Sequence, residues 1–120
     1  MRLITFERDG AARLGAVVDD RAVDLAALAA TQGEQLPSDM LGLIDLGPEG
    51  LARARALLDR ARGELPSSVA FPLSSVRLLA PIPRPRKNVI CLGLNYAEHV
   101  EEGSRAMNVQ RDLPKEPVYF

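Results

Sequence analysis

The sequence predicts an α+β fold in three parts. A small antiparallel meander with helices covers residues 1–79, a proline-rich connector covers 80–87, and a second, β-rich unit opens over 88–120. Three observations carry that prediction. Short alternating stretches near the N-terminus are separated by turn dipeptides. One long stretch, Pro48 to Arg62, has helical periodicity. Pro81, Pro83 and Pro85 then recur at alternate positions, which neither a helix interior nor a central strand tolerates.

Leu3, Thr5 and Glu7 alternate with Ile4 and Phe6, the period-two pattern of a half-buried or edge strand. Asp9-Gly10 marks a hairpin turn, and Arg13 to Val18 reads as the returning strand. Asp19-Asp20 makes a second turn before a third short strand, Ala22 to Leu25. The alanine-rich stretch from Ala26 to Ala30 begins a helix whose length Gly33 and Pro37 limit.

In the Pro48–Arg62 helix, proline suits the first position, where its missing N–H costs nothing. Glu49 complements the positive end of the helix dipole, and Arg60 and Arg62 the negative end. Leu51, Ala54, Leu58 and Ala61 are expected to share the buried face, with Arg53, Arg55, Asp59 and Arg60 in water and Gly63 as the cap. Val76 to Leu79 is one more short strand. Its proline-rich continuation reads as a stiff extended connector, because each proline lacks a ladder donor and forces its predecessor to extend.

Composition excludes several classes of function. Fifteen basic and sixteen acidic residues nearly cancel, which argues against nucleic acid and anionic membranes as partners. No apolar run approaches the ~20 residues of a membrane span. The single cysteine, Cys91, cannot form an intrachain disulfide, and the N-terminus lacks the apolar core of a signal peptide. The expectation is a soluble, cytoplasmic protein.

Chemistry concentrates in one place. Val89-Ile90-Cys91-Leu92 reads as a buried strand with an inert thiol, and it leads into Gly93-Leu94-Asn95-Tyr96-Ala97-Glu98-His99. Asn95 and Glu98 have the spacing of a capping box, and Gly103 is the expected terminator of a two-turn helix, Tyr96 to Glu102. His99, the only histidine, then lies one turn from Glu102. A carboxylate beside imidazole orients the ring and raises its basicity, the usual way to make a general base. An incidental ion pair on a surface helix has the same spacing. No zinc set, carboxylate cluster, phosphate loop or dinucleotide fingerprint accompanies it, and Asp112 and Glu116 are isolated.

The block from Asn88 to His99, followed by Leu113-Pro114-Lys115-Glu116-Pro117-Val118-Tyr119-Phe120, resembles the fumarylacetoacetate hydrolase family. The opening Met1-Arg2-Leu3, Leu14-Gly15 and Val23-Asp24-Leu25, and Leu79 to Pro85, resemble the same family, so the resemblance spans nearly the whole chain. It implies a mixed β-roll catalytic domain, of which residues 88–120 are the incomplete beginning. It also implies a metal-dependent enzyme of aromatic catabolism. Such an enzyme acts on a small diketo or oxo acid by carbon–carbon hydrolysis, decarboxylation or isomerisation.

The family's His-Glu dyad falls on His99 and Glu102. Asn95, Tyr96 and Arg105 fall in the substrate-binding or lid region, with 103–111 expected as a polar lid loop. The resemblance further implies Mg2+ or Mn2+ held by ligands beyond Phe120, an inactive chain in isolation, and a homodimer of the complete protein. Leu94 stands where some members carry arginine, which points away from the acylpyruvate-type branch. The rival expectation is a non-catalytic module that pairs with another chain through the strand at 118–120.

Overall fold

A computed structural model describes residues 1–61, 64–93, 97–108 and 115–119, with the backbone alone at 97–99 and 118. These residues fall into two compact units, Met1–Arg84 and Pro85–Phe120. An α+β arrangement is present: an antiparallel sheet with helices.

In the first unit, β1 (Arg2–Arg8), β2 (Ala11–Val18) and β3 (Arg21–Asp24) form the meander. Asp9 (φ 50°) and Gly10 (φ 74°) both adopt left-handed backbone in the first turn. That is the geometry whose twist suits a two-residue hairpin loop, and the reason the Asp-Gly signal is trustworthy. β4 (Ala70–Pro72) adds to the free edge of β3, and β5 (Arg77–Leu78) to that of β1. The sheet order is therefore β4-β3-β2-β1-β5. The Arg21 guanidinium reinforces the β3–β4 edge by donating to the Ala70 carbonyl at 2.9 Å.

Helix α1 (Leu25–Thr31) starts directly from β3 because the Asp24 carboxylate accepts from the Ala27 N–H at 2.9 Å. It ends where Gly33 takes φ 71°. There the Glu34 and Gly33 amides reach back to the Ala29 and Ala30 carbonyls, the paired bonds of a Schellman ending. Two elements of the first unit, besides the short 3-10 turn at Leu73–Ser75, are not announced by the sequence. One is β4, and the other is α2 (Met40–Asp45), capped by the Asp39 carboxylate on the Gly42 N–H. Two turns of helix are too short to show a period, whereas Ser38-Asp39 ahead of Met40 was a legible start signal.

Helix α3 (Gly47–Arg60) follows after a bend at Gly47 (φ 59°). Its buried face differs from the expected one. Gly50, Ala54, Leu57 and Ala61 point inward, Leu58 is half-buried, and Leu51 is exposed. The cause is a close approach at Gly50, where an added Cβ would lie 2.8 Å from the Leu46 Cβ and 2.9 Å from the Leu43 carbonyl. Backbone pressed against α2 at that point turns the helix by about one residue. Gly63, the expected cap, and Arg62 lie outside the described residues.

The core between sheet and helices is aliphatic: Leu14, Ala16, Val23, Leu25, Leu28, Leu43, Ala54 and Leu57. On the other face of the sheet, Phe6 is fully buried over Gly15, and Arg8 stacks 3.6 Å above the Phe71 ring. No helix among the described residues is long and apolar enough to cross a membrane.

The second unit contains β6 (Leu92–Gly93), α4 (Ala97–Met107) and β7 (Val118–Tyr119), with β6 and β7 paired antiparallel. Here the expectation of a buried strand at Val89–Leu92 is corrected. Only Leu92 of that run is in a strand, Val89 and Ile90 are largely exposed, and Cys91 is only partly buried. Among the described residues β6 has one ladder neighbour, and nothing covers Val89 and Ile90.

Candidate functional site

His99, Glu102 and Arg105 sit on α4, and the helix runs further than expected at its C-terminal end. It does not stop at Gly103 but continues to Met107. Glycine ends a helix only by taking left-handed φ, and Gly103 has none. That role belongs to Asn108, with φ 51° and its N–H directed at the Arg105 carbonyl at 3.4 Å. Residues 103–107, expected as lid loop, are therefore helical, and 109–111 lie outside the described residues. Asparagine tolerates this conformation better than other side chains. Asn108 following Met107 was thus the signal that could have placed the end correctly.

His99 is in the first turn of α4, and Glu102 follows it by three positions on a continuous helix. At 1.5 Å rise and ~100° per residue, such positions share a side of the helix, which brings the expected dyad partners into register. The Glu102 side chain is exposed. Arg105 is exposed too, and its guanidinium meets the Glu101 carboxylate at 3.1 Å, one turn away. An exposed pair of that spacing contributes only a few tenths of a kcal/mol. The pair does show that Glu101 and Arg105 occupy one stripe of the helix. Asn95 and Tyr96, expected at the substrate, lie outside the described residues.

Elsewhere the described surface of the first unit has shallow hollows, one apolar and one of mixed lining. One, about 220 Å³, is lined by Leu3, Met40, Leu43, Ile44, Gly47 and Leu51. Another, about 490 Å³, lies beside Leu28, Gln32 and Arg60. There the Arg60 guanidinium is engaged by Gln32 and Glu34, so it serves to tie α3 to the segment after α1. Among the described residues no three His, Cys, Asp or Glu side chains converge to hold a metal ion.

Comparison with known proteins gives the chain its relatives. No protein-family model matches it. The oxaloacetate tautomerase YisK of Bacillus subtilis is 36% identical over 127 aligned residues, covering 100% of this chain and 40% of that protein. The mitochondrial oxaloacetate tautomerase Fahd2a of Rattus norvegicus is 41% identical over 85 residues, covering 71% of this chain and 23% of its own length. A Dictyostelium discoideum fumarylacetoacetate hydrolase domain-containing protein 2 homolog is 28% identical over 109 residues, covering 90% of this chain and 30% of its own length. The chain thus spans less than half the length of these relatives.

Proposed function

Because the chain belongs to the fumarylacetoacetate hydrolase family, we propose that it forms the N-terminal domain and the opening of the catalytic domain of an enzyme for a small oxo acid. The proposed substrate is an oxaloacetate-like 2-oxo dicarboxylate, and the proposed reaction is keto–enol interconversion. The observation that carries this reading is the 36% identity to an oxaloacetate tautomerase along the whole chain. The helical register of His99 and Glu102 supports it.

In the proposed reaction the neutral His99 imidazole takes a proton from the carbon next to the oxo group. The C–H electron pair becomes the enolate double bond, and the carbonyl π pair moves onto oxygen. Return of the proton to that oxygen gives the enol, so no atom is gained or lost. Glu102 accepts the other ring N–H, holding the tautomer whose free nitrogen faces substrate. Asn95, Tyr96 and Arg105 are proposed to hold the substrate or close over it. The Mg2+ or Mn2+ ligands are proposed to lie beyond Phe120, and no step here runs through that ion. The complete protein is proposed to be a cytoplasmic homodimer with the mixed β-roll of its family.

A second reading, hydrolysis of a carbon–carbon bond, is favoured by the fumarylacetoacetate hydrolase name of the Dictyostelium relative. There the same base would deprotonate water. The two readings part experimentally. The complete protein is given oxaloacetate while enol absorbance is followed, and a fumarylacetoacetate-type diketo acid while cleavage products are counted. Faster enol decay without cleavage supports the proposal, and cleavage without enol catalysis supports the hydrolase. Neither activity, together with capture of a second chain by residues 118–120, supports the non-catalytic strand-pairing module.

A further inference from the structure

The connector leaves the first unit along the outer edge of β1, and the bonds that hold it there are specific. Phe6 pairs with Leu78 and Glu7 with Arg77, and the Arg77 guanidinium meets the Glu7 carboxylate at 2.5 Å. The Leu79 N–H then donates to the Thr5 carbonyl at 2.9 Å. Last, the Thr5 hydroxyl donates to the Pro81 carbonyl at 2.6 Å. Thr5 is only 4% exposed, whereas Arg77, Leu78 and Pro81 are exposed. Thr5 lies opposite Leu14 in the β1–β2 register, and the partner of its buried hydroxyl is the Pro81 carbonyl. Beyond Pro81, Pro83 and Pro85 supply no N–H, and the ladder along β1 cannot continue.

We propose that Thr5 is the buckle of a strap: residues 77–81 are fastened to the edge of β1, and the Thr5 hydroxyl holds the end of that strap through the Pro81 carbonyl. Opening the buckle releases the strap without unfolding the sheet, because β5 contributes two exposed residues and no core side chain. The device does not depend on the reaction proposed above.

Hydrogen exchange of the chain tests it, read at the Leu79 amide and at the amides of β1 and β2. In the native chain the Leu79 amide should open with a weaker urea dependence than the β1–β2 ladder. Thr5→Val should speed Leu79 exchange about 5- to 10-fold, as expected for one hydrogen bond, and leave the β1–β2 amides within about two-fold. Thr5→Ser should keep Leu79 protected. Unchanged Leu79 exchange in Thr5→Val would overturn the proposal. So would equal acceleration of every sheet amide, or a native Leu79 amide that opens only with the whole sheet.

Discussion

Adding one methyl group at Gly15 probes the far face of the sheet. At a compatible position, Gly→Ala stabilises a protein by about 0.4–1 kcal/mol, by restricting the unfolded chain. Gly15 has ordinary strand backbone, so no left-handed φ forbids alanine. The new Cβ would instead lie 2.7 and 2.9 Å from the Phe6 ring and 3.0 Å from the Val23 carbonyl. Phe6 is 0% exposed, so the ring cannot swing into water to make room. Overpacking of this kind costs about 1–3 kcal/mol, which outweighs the entropic gain. The net loss of about 1–2 kcal/mol corresponds to a Tm drop of roughly 5–15 °C for a unit of this size. Urea and thermal melts followed by circular dichroism read it, and the double variant with Phe6→Leu should recover at least half the loss. A Gly15→Ala chain as stable as the parent, or more so, would refute the packing argument.

Other predictions follow from the same geometry. Leu57→Ala should lose about 2–5 kcal/mol in urea melts and Leu51→Ala less than about 0.5 kcal/mol; the reverse order would mean the α3 face is wrongly oriented. Asp24→Ala removes the α1 cap and should lose about 1 kcal/mol by the same measurement. Gly103→Ala meets open space inside α4 and should slow exchange of the α4 amides about two- to five-fold, whereas a loop there would show no slowing.

Legibility in the sequence followed physical scale. The meander was readable because Asp9-Gly10 and Asp19-Asp20 act locally, each turn needing only its own residues. The α3 helix was readable, but its inward face was not. That face depends on Gly50 meeting Leu46 and the Leu43 carbonyl, an approach set by an α2 helix that two turns of sequence do not announce. Gly103 is a misleading stop signal, because its φ is not left-handed, while Asn108 holds the ending. In the second unit, apolar character at Val89 and Ile90 suggests burial, yet no described residue covers them. The His99–Glu102 spacing was visible from the start, and a longer helix keeps that register.

The most direct measurement is turnover of oxaloacetate enol by the complete protein carrying His99→Ala, beside Glu102→Gln and the parent. For His99→Ala kcat should fall about 10²- to 10⁴-fold, for Glu102→Gln less, with KM within a few-fold of the parent. An unchanged kcat in His99→Ala would remove the α4 histidine from the chemistry.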